Sequence, residues 1–312
     1  MTSDIESILK KLNRKELLEL AHNKKINIPN NWSTQFIIEL LSLNLEVGEI
    51  PRSKAKLTKF REKPETASII IIKDLQKRFE NVAAIDSLNL EIRKGELFSL
   101  LGPNGAGKTT TLNILTGIVE PTKGTAIIDG FDIAKNAFEV KKIIGVCPQE
   151  ATVYSFLNAR ENIELFGKLH SLSRNQIEKR ANRMLELLGL TDASQRRVGG
   201  YSGGMLRKLN LIMALINDPK IAFLDEPTVG MDARARRNTW DFIGSLKSED
   251  KTIVLTTHYI EEAEALSDRV GIIDYGKLIE LGTPEELIEK YGVKNLEQVF
   301  LNITGRRIME GL

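Results

Sequence analysis

The chain has 312 residues, enough for one large domain or two smaller ones with buried cores. Its composition, 42% hydrophobic and 28% charged, is ordinary for a globular protein, and a net charge of +2 excludes a nucleic-acid footprint over the whole surface. Cys147 is the single cysteine, which excludes an intramolecular disulfide and any site built from several cysteines. We expect it to be a small buried hydrophobe.

Membrane insertion and secretion are not indicated by the sequence. The best apolar stretches, 69–72 and 211–216, fall far short of the ~18 residues that suggest a membrane span. Asp4 and Glu6 stand where a signal peptide would carry basic and then apolar residues. We therefore expect a cytoplasmic protein that reaches the inner face of the membrane only through a partner.

The N-terminal part of the chain differs in pattern from the rest. Residues 1–50 read as helices joined by a polar loop, without strand patterns. The following segment, 51–67, is basic and contains two prolines, which is typical of a linker. The sequence thus predicts a small all-α domain and a linker ahead of the main domain.

Short apolar runs alternate with helical patterns from about residue 68 onward. This alternation predicts an α/β domain over 68–282, with a largely parallel sheet covered by helices. The runs are 69–72, 97–101, 126–129, 142–146, 221–224, 252–257 and 270–274. The stretch 155–200 lacks such runs and repeats apolar residues at helical spacing, which predicts an inserted helical subdomain. Those repeated residues are Ile177, Ala181, Met184, Leu185 and Leu188.

A glycine-rich segment, GPNGAGKTT, follows the run at 97–101 and precedes a helical pattern. It fits G-x-x-x-x-G-K-[ST], the pattern of a phosphate-binding loop. Glycines let the backbone turn its N–H groups toward phosphate, and the positive end of the following helix adds to the attraction. We expect Lys108 to reach the β- and γ-phosphates of a nucleotide and the Thr109 hydroxyl to bind Mg²⁺. The predicted ATP contacts in this loop are Gly102, Pro103, Asn104, Gly105, Ala106, Gly107, Lys108, Thr109 and Thr110.

Two carboxylates, Asp225 and Glu226, follow the apolar run at 221–224. An aspartate at a strand tip can hold Mg²⁺ beside a phosphate loop, as a Walker B aspartate does. The adjacent glutamate is placed to orient the attacking water or to accept its proton. Acidic strand ends are common, so this prediction depends on the phosphate-binding loop elsewhere in the chain.

A third motif, Tyr201-Ser202-Gly203-Gly204-Met205, precedes a helical pattern. It resembles the LSGGQ signature of ABC ATPases, in which a glycine-permitted backbone and a serine hydroxyl at a helix N-terminus donate to phosphate. The resemblance implies that Ser202, Gly203 and Gly204 contact the nucleotide bound by the opposite subunit. Tyr and Met replace the usual Leu and Gln, while the Ser-Gly-Gly core is intact.

Four further residues match positions of the ABC ATPase pattern. The resemblance implies that Gln149 contacts Mg²⁺ and water, that His258 contacts the γ-phosphate, and that Asp232 lies at the dimer seam. Phe79 matches the aromatic residue that stacks on adenine, although core packing is an alternative for an isolated aromatic. The catalytic residues implied in this way are Glu226, His258, Lys108 and Gln149.

The resemblance covers residues 69–312 and implies an α/β P-loop NTPase that binds ATP and Mg²⁺. The motif YSGGM and the tail over 283–312, which reads as helical, are similar to the drug-resistance type of exporter ATPase. Such ATPases pair with a separate type-2 ABC permease, and they work as a homodimer or as a dimer with a second nucleotide-binding subunit. In this family the segment after Gln149 contacts the permease. In this chain the segment is apolar, which fits a partner surface. The alternative explanation of its apolar character is packing under the helical subdomain.

The N-terminal region lies outside the ABC pattern. Its helix, polar loop and helix resemble the SAP-like fold, some of whose members bind nucleic acid. Residues 33–43 contain no Lys or Arg, so we expect a protein-contact or fold-stabilising role and no nucleic-acid partner.

Two other functions compete with a transport ATPase. The first is an ABC ATPase acting on nucleic acid or ribosomes, which typically carries two nucleotide domains or a long inserted coiled coil. This chain has one set of motifs and a short interval between them. The second is a sensor that binds ATP without turnover, which conflicts with the presence of Glu226.

Overall fold

The computed structural model describes residues 68–247 and 251–305, which belong to one compact unit, Ala67–Leu312. The helical domain predicted over 1–50 and the linker over 51–67 lie outside the described residues. In the part that is described, no helix has both the length and the apolar character needed to cross a bilayer.

Ten strands form two separate sheets in the described residues. They are β1 (Ser68–Phe79), β2 (Val82–Arg93), β3 (Leu97–Leu101), β4 (Lys123–Ile128), β5 (Phe131–Asp132), β6 (Ile144–Cys147), β7 (Ile221–Asp225), β8 (Thr252–Thr257), β9 (Arg269–Asp274) and β10 (Lys277–Gly282). The larger sheet has the order β10-β9-β3-β8-β7-β6. Its neighbours pair in parallel, except β9 with β10. The predicted, largely parallel sheet is therefore confirmed for these strands.

The smaller sheet was not predicted. It has the order β2-β1-β4-β5, and all of its pairs are antiparallel. The runs 69–72 and 126–129, predicted as members of the parallel sheet, belong to this one, so that assignment was wrong. A short apolar run does not show which neighbour it pairs with. Strand β2 was missed, although Leu88, Leu90 and Ile92 are buried with the alternation of a half-exposed strand.

Nine α-helices connect and cover the strands of the described region. They are α1 (Lys108–Leu115), α2 (Ala137–Ile143), α3 (Ala159–Leu169), α4 (Arg174–Leu187), α5 (Gly203–Leu215), α6 (Ala233–Lys247), α7 (Ile260–Leu266), α8 (Pro284–Tyr291) and α9 (Leu296–Thr304). Asn158 and Ser173 begin α3 and α4 with complete capping boxes, which satisfy free N–H groups at each helix start.

The stretch 155–200 contains α3, α4 and a short 3₁₀ turn at Val198–Gly200. All five apolar residues predicted from helical spacing are buried there, in the same core as α5. Cys147 is buried in this core as well. Helices α8 and α9 lie in the predicted tail and pack through Leu287, Val299 and Phe300 against β9 and α7. The division into domains at 282–283 remains a prediction.

The carboxyl ends of β3, β7 and β8 meet at one edge of the larger sheet. Strands β3 and β7 are buried along their whole length, as expected for parallel strands covered on both faces. At this edge the N–H of Gly102 donates to the carbonyl of Thr257 at 3.4 Å, and the N–H of Glu226 donates to that of Thr256 at 3.1 Å. Ligands of open α/β sheets bind outside the carboxyl ends of the strands, so a ligand site is expected at this edge.

Candidate functional site

The glycine-rich loop runs from the end of β3 to the start of α1, in the predicted order of strand, loop and helix. Gly107 caps α1 with a φ of 104°, and a Cβ there would lie 2.4 Å from the carbonyl oxygen of Ala84. A Cβ on Gly102 would lie 2.3 Å from the carbonyl oxygen of Ile273. No larger residue fits either position without moving the backbone. The two glycines therefore allow the loop to pack closely against β2 and β9.

Lys108 opens α1 and is almost fully buried at the base of the loop. Its Nζ donates to the carbonyl oxygens of Gly102 at 2.8 Å and Pro103 at 3.1 Å, and it lies 3.4 Å from Oε1 of Glu226. Burial lowers the pKa of this ammonium, and the nearby carboxylates of Glu226 and Asp225 act in the opposite direction. The loop thus holds a buried cation at its base, beside the Glu226 carboxylate.

Asp225 is the last residue of β7 and is buried beside two threonines. Its carboxylate accepts hydrogen bonds from the hydroxyls of Thr256 and Thr109. Burial raises the pKa of Asp225, and these two hydrogen bonds lower it. The oxygens of Asp225 and Thr109 therefore face each other, which suits a hard divalent cation.

Glu226 lies next to Asp225 and is held by contacts on several sides. Its N–H donates to the Thr256 hydroxyl at 3.1 Å, and Oε2 accepts from Nε2 of Gln149 at 3.2 Å. Oε1 lies 3.0 Å from Nδ1 of His258, without the alignment of a hydrogen bond. Burial raises the pKa of Glu226, but His258 and Lys108 outweigh it, so that the pKa is lowered overall. This carboxylate is ionised at neutral pH and can accept a proton.

The structure brings five of the predicted residues into one cluster at the sheet edge. They are Lys108, Gln149, Asp225, Glu226 and His258. Thr109 joins them through Asp225. In the rest of the loop, Pro103 is half-buried, Asn104 and Gly105 are exposed, Ala106 is buried and Thr110 is half-buried.

The signature segment is not part of this cluster. Ser202 is the N-cap of α5, and its hydroxyl accepts from the N–H of Met205 at 3.4 Å within that helix. A Cβ on Gly204 would lie 3.7 Å from the Met231 side chain, while Gly203 faces open space. Asp232, next to Met231, is exposed and accepts from the N–H of Ala235 at 2.8 Å. Within one chain, the signature therefore neighbours Asp232.

Phe79 ends β1 at the hairpin with β2, where it pairs with Val82. Its ring is 47% exposed, which excludes the alternative of core packing. The ammonium of Lys77 lies 4.8 Å from the ring centroid. The hairpin adjoins the glycine-rich loop, because Ala84 of β2 contacts Gly107. An open aromatic face therefore stands beside the loop.

Two structural residues of this site were not identified from the sequence. The Thr256 hydroxyl donates to the Asp225 carboxylate and accepts from the Glu226 N–H, and the only sequence signal was a strand ending in two threonines before His258. Gly276, in the turn between β9 and β10, donates its N–H to the carbonyl of Ala106 at 2.9 Å and so supports the loop from behind. No local pattern marks Gly276, since its role depends on a contact between distant parts of the chain.

The residues present fit a nucleotide with a divalent cation. A polyphosphate needs a cation and free N–H groups, and Lys108 and the start of α1 supply both. Mg²⁺ prefers oxygen ligands, and the side chains of Thr109, Asp225 and Gln149 offer them.

Comparison with known proteins gives a consistent result. A family model described as "ABC transporter" matches residues 85–229. The doxorubicin resistance ATP-binding protein DrrA of Mycobacterium tuberculosis is 42% identical over 72% of this chain and 68% of its own. The linearmycin resistance ATP-binding protein LnrL of Bacillus subtilis is 37% identical over 72% of this chain and 73% of its own.

Two solved structures have the same fold. A structure of the ATP-binding subunit of an ABC transporter has a TM-score of 0.70 and 25% identity, and it covers 76% of this chain and 100% of its own. A dimeric ATP-binding cassette in a post-hydrolysis state, bound to ADP and Pi, has a TM-score of 0.63 and 28% identity. That match covers 69% of this chain and 98% of the cassette.

Proposed function

We propose that two nucleotide-binding subunits close head to tail over two MgATP molecules. The premise is that the chain belongs to the ABC transporter family and is an ATP-binding, ATP-hydrolysing subunit. Each site then consists of the glycine-rich loop of one subunit and the signature segment of the other. All the required motifs are present in this chain, so a homodimer suffices, and a dimer with a second nucleotide-binding subunit would use the same surfaces.

We assign the chemical roles from the family's motif positions, together with the contacts in the cluster. Lys108 binds the β- and γ-phosphates, and Phe79 stacks on the adenine. Glu226 accepts a proton from the attacking water, which Gln149 helps to orient, while His258 contacts the γ-phosphate. Thr109, Asp225 and Gln149 hold Mg²⁺, which supplies positive charge to the phosphate oxygens when it is bound. Hydrolysis removes the γ-phosphate that joins the two subunits, and the dimer reopens.

One observation carries the two-subunit arrangement. The hydrolytic residues gather around Lys108, whereas the Ser202 hydroxyl caps its own helix next to the Asp232 segment. Gly203, in the first turn of α5, has open space around it. A helix N-terminus that bears Ser-Gly-Gly and has open space beside Gly203 suits a phosphate that arrives from another subunit.

Mixed dimers test this arrangement. Lys108→Ala disables the loop of its own chain, and Gly204→Asp places a negative charge at the signature. A mixture of the two chains forms dimers with one site that is intact on both sides, which neither variant forms alone. We expect the mixture to hydrolyse ATP faster than either parent, with mixing verified by differently tagged chains. Activity in the mixture no higher than in either parent would show that each chain completes its own site.

We further propose that the subunit drives a separate type-2 ABC permease and acts as an exporter. The named relatives are drug-resistance ATP-binding proteins, which supports the export direction. Tyr154 and Phe156, shortly after Gln149, are 57% and 85% exposed. Thr152, two residues before Tyr154, lines a groove together with Ile118, Val146 and Phe166. Exposed apolar groups of this kind mark a partner surface, and a permease bound here would hold the subunit at the inner face of the membrane.

A further inference from the structure

Glu262 of α7 is a buried carboxylate that has no role in the chemistry proposed above. It is fully inaccessible to solvent, and its Oε1 accepts two hydrogen bonds. The donors are Oγ1 of Thr228 at 2.7 Å and Nε1 of Trp240 at 2.9 Å. Thr228 lies in the loop between β7 and α6, and Trp240 lies on α6. One oxygen atom therefore joins three segments of the chain.

The same interface contains a second layer of contacts, closer to His258. The guanidinium of Arg236 lies 4.3 Å from the ring centroid of Tyr259, which in turn is 4.3 Å from the imidazole centroid of His258. Oε2 of Glu262 and Nε of Arg236 are buried without hydrogen-bond partners in the described residues. Helix α6 thus contacts the segment that follows His258 through both layers, by Trp240 with Glu262 and by Arg236 with Tyr259.

Thr228 lies midway along a short loop that begins at Glu226 and ends at Asp232. Two turns fold this loop, from Val229 N–H to the Glu226 carbonyl at 3.3 Å and from Met231 N–H to the Thr228 carbonyl at 3.2 Å. Glu226 itself has a φ of 47°, a conformation that a non-glycine residue keeps only when its surroundings hold it. A displacement of Thr228 would therefore move both ends of the loop.

Stability alone does not account for a carboxylate in this position. Burying the group costs free energy, and a well-packed apolar side chain of similar volume is often as stable or more stable. What the carboxylate adds is directional: two donors from different segments must converge on one acceptor. Such a group determines how the three segments are arranged more than it adds to the stability of the fold.

We propose that Glu262 is a positioning residue, which sets the Glu226–Asp232 loop at its working distance from His258. Its acceptor oxygen fixes Thr228 and Trp240, so that Glu226 stays in reach of His258 while Asp232 keeps its place beside the signature segment. The inference rests on the proposed roles of Glu226 and His258.

Steady-state ATPase kinetics of the full chain test the proposal. Glu262→Leu removes the acceptor, while Glu262→Gln retains an oxygen that can accept both bonds. We expect kcat to fall roughly 10- to 100-fold in Glu262→Leu, because small misplacements of catalytic groups have effects of this size. The KM for ATP should stay within about twofold, since the nucleotide-binding loop is untouched, and Glu262→Gln should recover most of kcat.

Conservative variants keep the test valid if Glu262→Leu fails to fold. Thr228→Val and Trp240→Phe each remove one donor, and each should lower kcat by a smaller factor than Glu262→Leu. Thr252→Val is the matched control, because Thr252 is a buried threonine of β8 whose hydroxyl accepts from Gly95 N–H at 2.9 Å, at the other end of the strand. It should lose stability without losing kcat.

The outcomes separate the inference from the proposed function. Wild-type kcat in the donor variants and in Glu262→Leu would overturn the positioning role, as would a Glu262→Gln variant no better than Glu262→Leu. Glu226→Gln is measured alongside. If Glu226→Gln remains active, the proposed chemistry is wrong; if it is inactive while Glu262→Leu is normal, the positioning role alone is wrong.

Discussion

Oε1 of Glu226 lies 3.0 Å from Nδ1 of His258, although the two residues follow different strands, β7 and β8. Both side chains are largely buried at the carboxyl edge of the larger sheet. The ionised carboxylate thus lies between the histidine and Lys108, which is 3.4 Å from the same oxygen. This relationship places a proton acceptor where two candidate γ-phosphate ligands converge.

Glu226→Gln keeps the shape of the side chain and removes the proton acceptor. We expect the variant to bind ATP and to lose roughly 10²- to 10⁴-fold in turnover, which is the usual range for a general base. It should accumulate as a dimer with MgATP, detected by size-exclusion chromatography. Glu285→Gln, an exposed position on α8, is the matched control. Turnover near that of the control would rule out the assigned role of Glu226.

The Thr256 hydroxyl holds the carboxylate of Asp225 and the backbone of Glu226. Thr256→Val removes the hydroxyl that donates to Asp225 and accepts from Glu226 N–H. We expect the Mg²⁺ concentration that gives half-maximal ATPase activity to rise by roughly 10- to 100-fold, as is typical when the partner of a metal ligand is lost. Thr256→Ser should restore most of the affinity. An unchanged Mg²⁺ titration in Thr256→Val would contradict this role.

Phe79 offers an exposed ring to the adenine. Phe79→Ala should raise the KM for ATP by about 3- to 10-fold, the equivalent of one aromatic stacking contact, with little effect on kcat or stability. Phe79→Tyr should behave like wild type. Val82→Ala, at an exposed position of the same hairpin, is the control. If both alanine variants give the same KM as wild type, adenine does not stack at Phe79.

The segment after Gln149 is expected to contact the permease. Phe156→Asp replaces an aromatic ring that is 85% exposed, so the ATPase activity of the isolated subunit should be unchanged. Recovery with the permease from membranes, and transport, should both fall. Leu169→Asp, at an exposed leucine that ends α3, is the control. Normal membrane recovery and transport in Phe156→Asp would favour a role in packing alone.

Glu262 should make stability depend on pH in a defined direction. Burial raises the pKa of its carboxyl above the ordinary 4.5, with the hydrogen bonds from Thr228 and Trp240 opposing this shift. The folded state therefore binds the proton more tightly than the unfolded state, and the wild type loses stability as pH rises above 4.5 through the folded-state pKa.

Glu262→Gln has no such proton to lose. The difference in unfolding free energy between this variant and wild type should shift in favour of the variant between about pH 5 and about pH 8. Urea unfolding at the two pH values, without nucleotide, measures it. A difference that stays constant across this range would mean that Glu262 does not titrate as described.

Local patterns were sufficient to predict much of this protein. The glycine-rich loop was predicted between a strand and a helix because glycine spacing and the neighbouring apolar runs act over a few residues. The strand before Asp225 and the helical face containing Ile177 and Leu185 were predicted for the same reason. The identities of the nucleotide-site residues followed from motif resemblance. The helical reading of residues 1–50 stays a prediction, as does the division into domains.

Only the tertiary structure decided how these pieces combine. A short apolar run does not indicate which strand it pairs with, so β1 and β4 were assigned to the wrong sheet. The approach of Ala84 to Gly107, the contacts of Thr256 with Asp225 and Glu226, and the convergence on Glu262 each join segments far apart in the chain. Their energies depend on distance and burial, which exist only once the chain has folded.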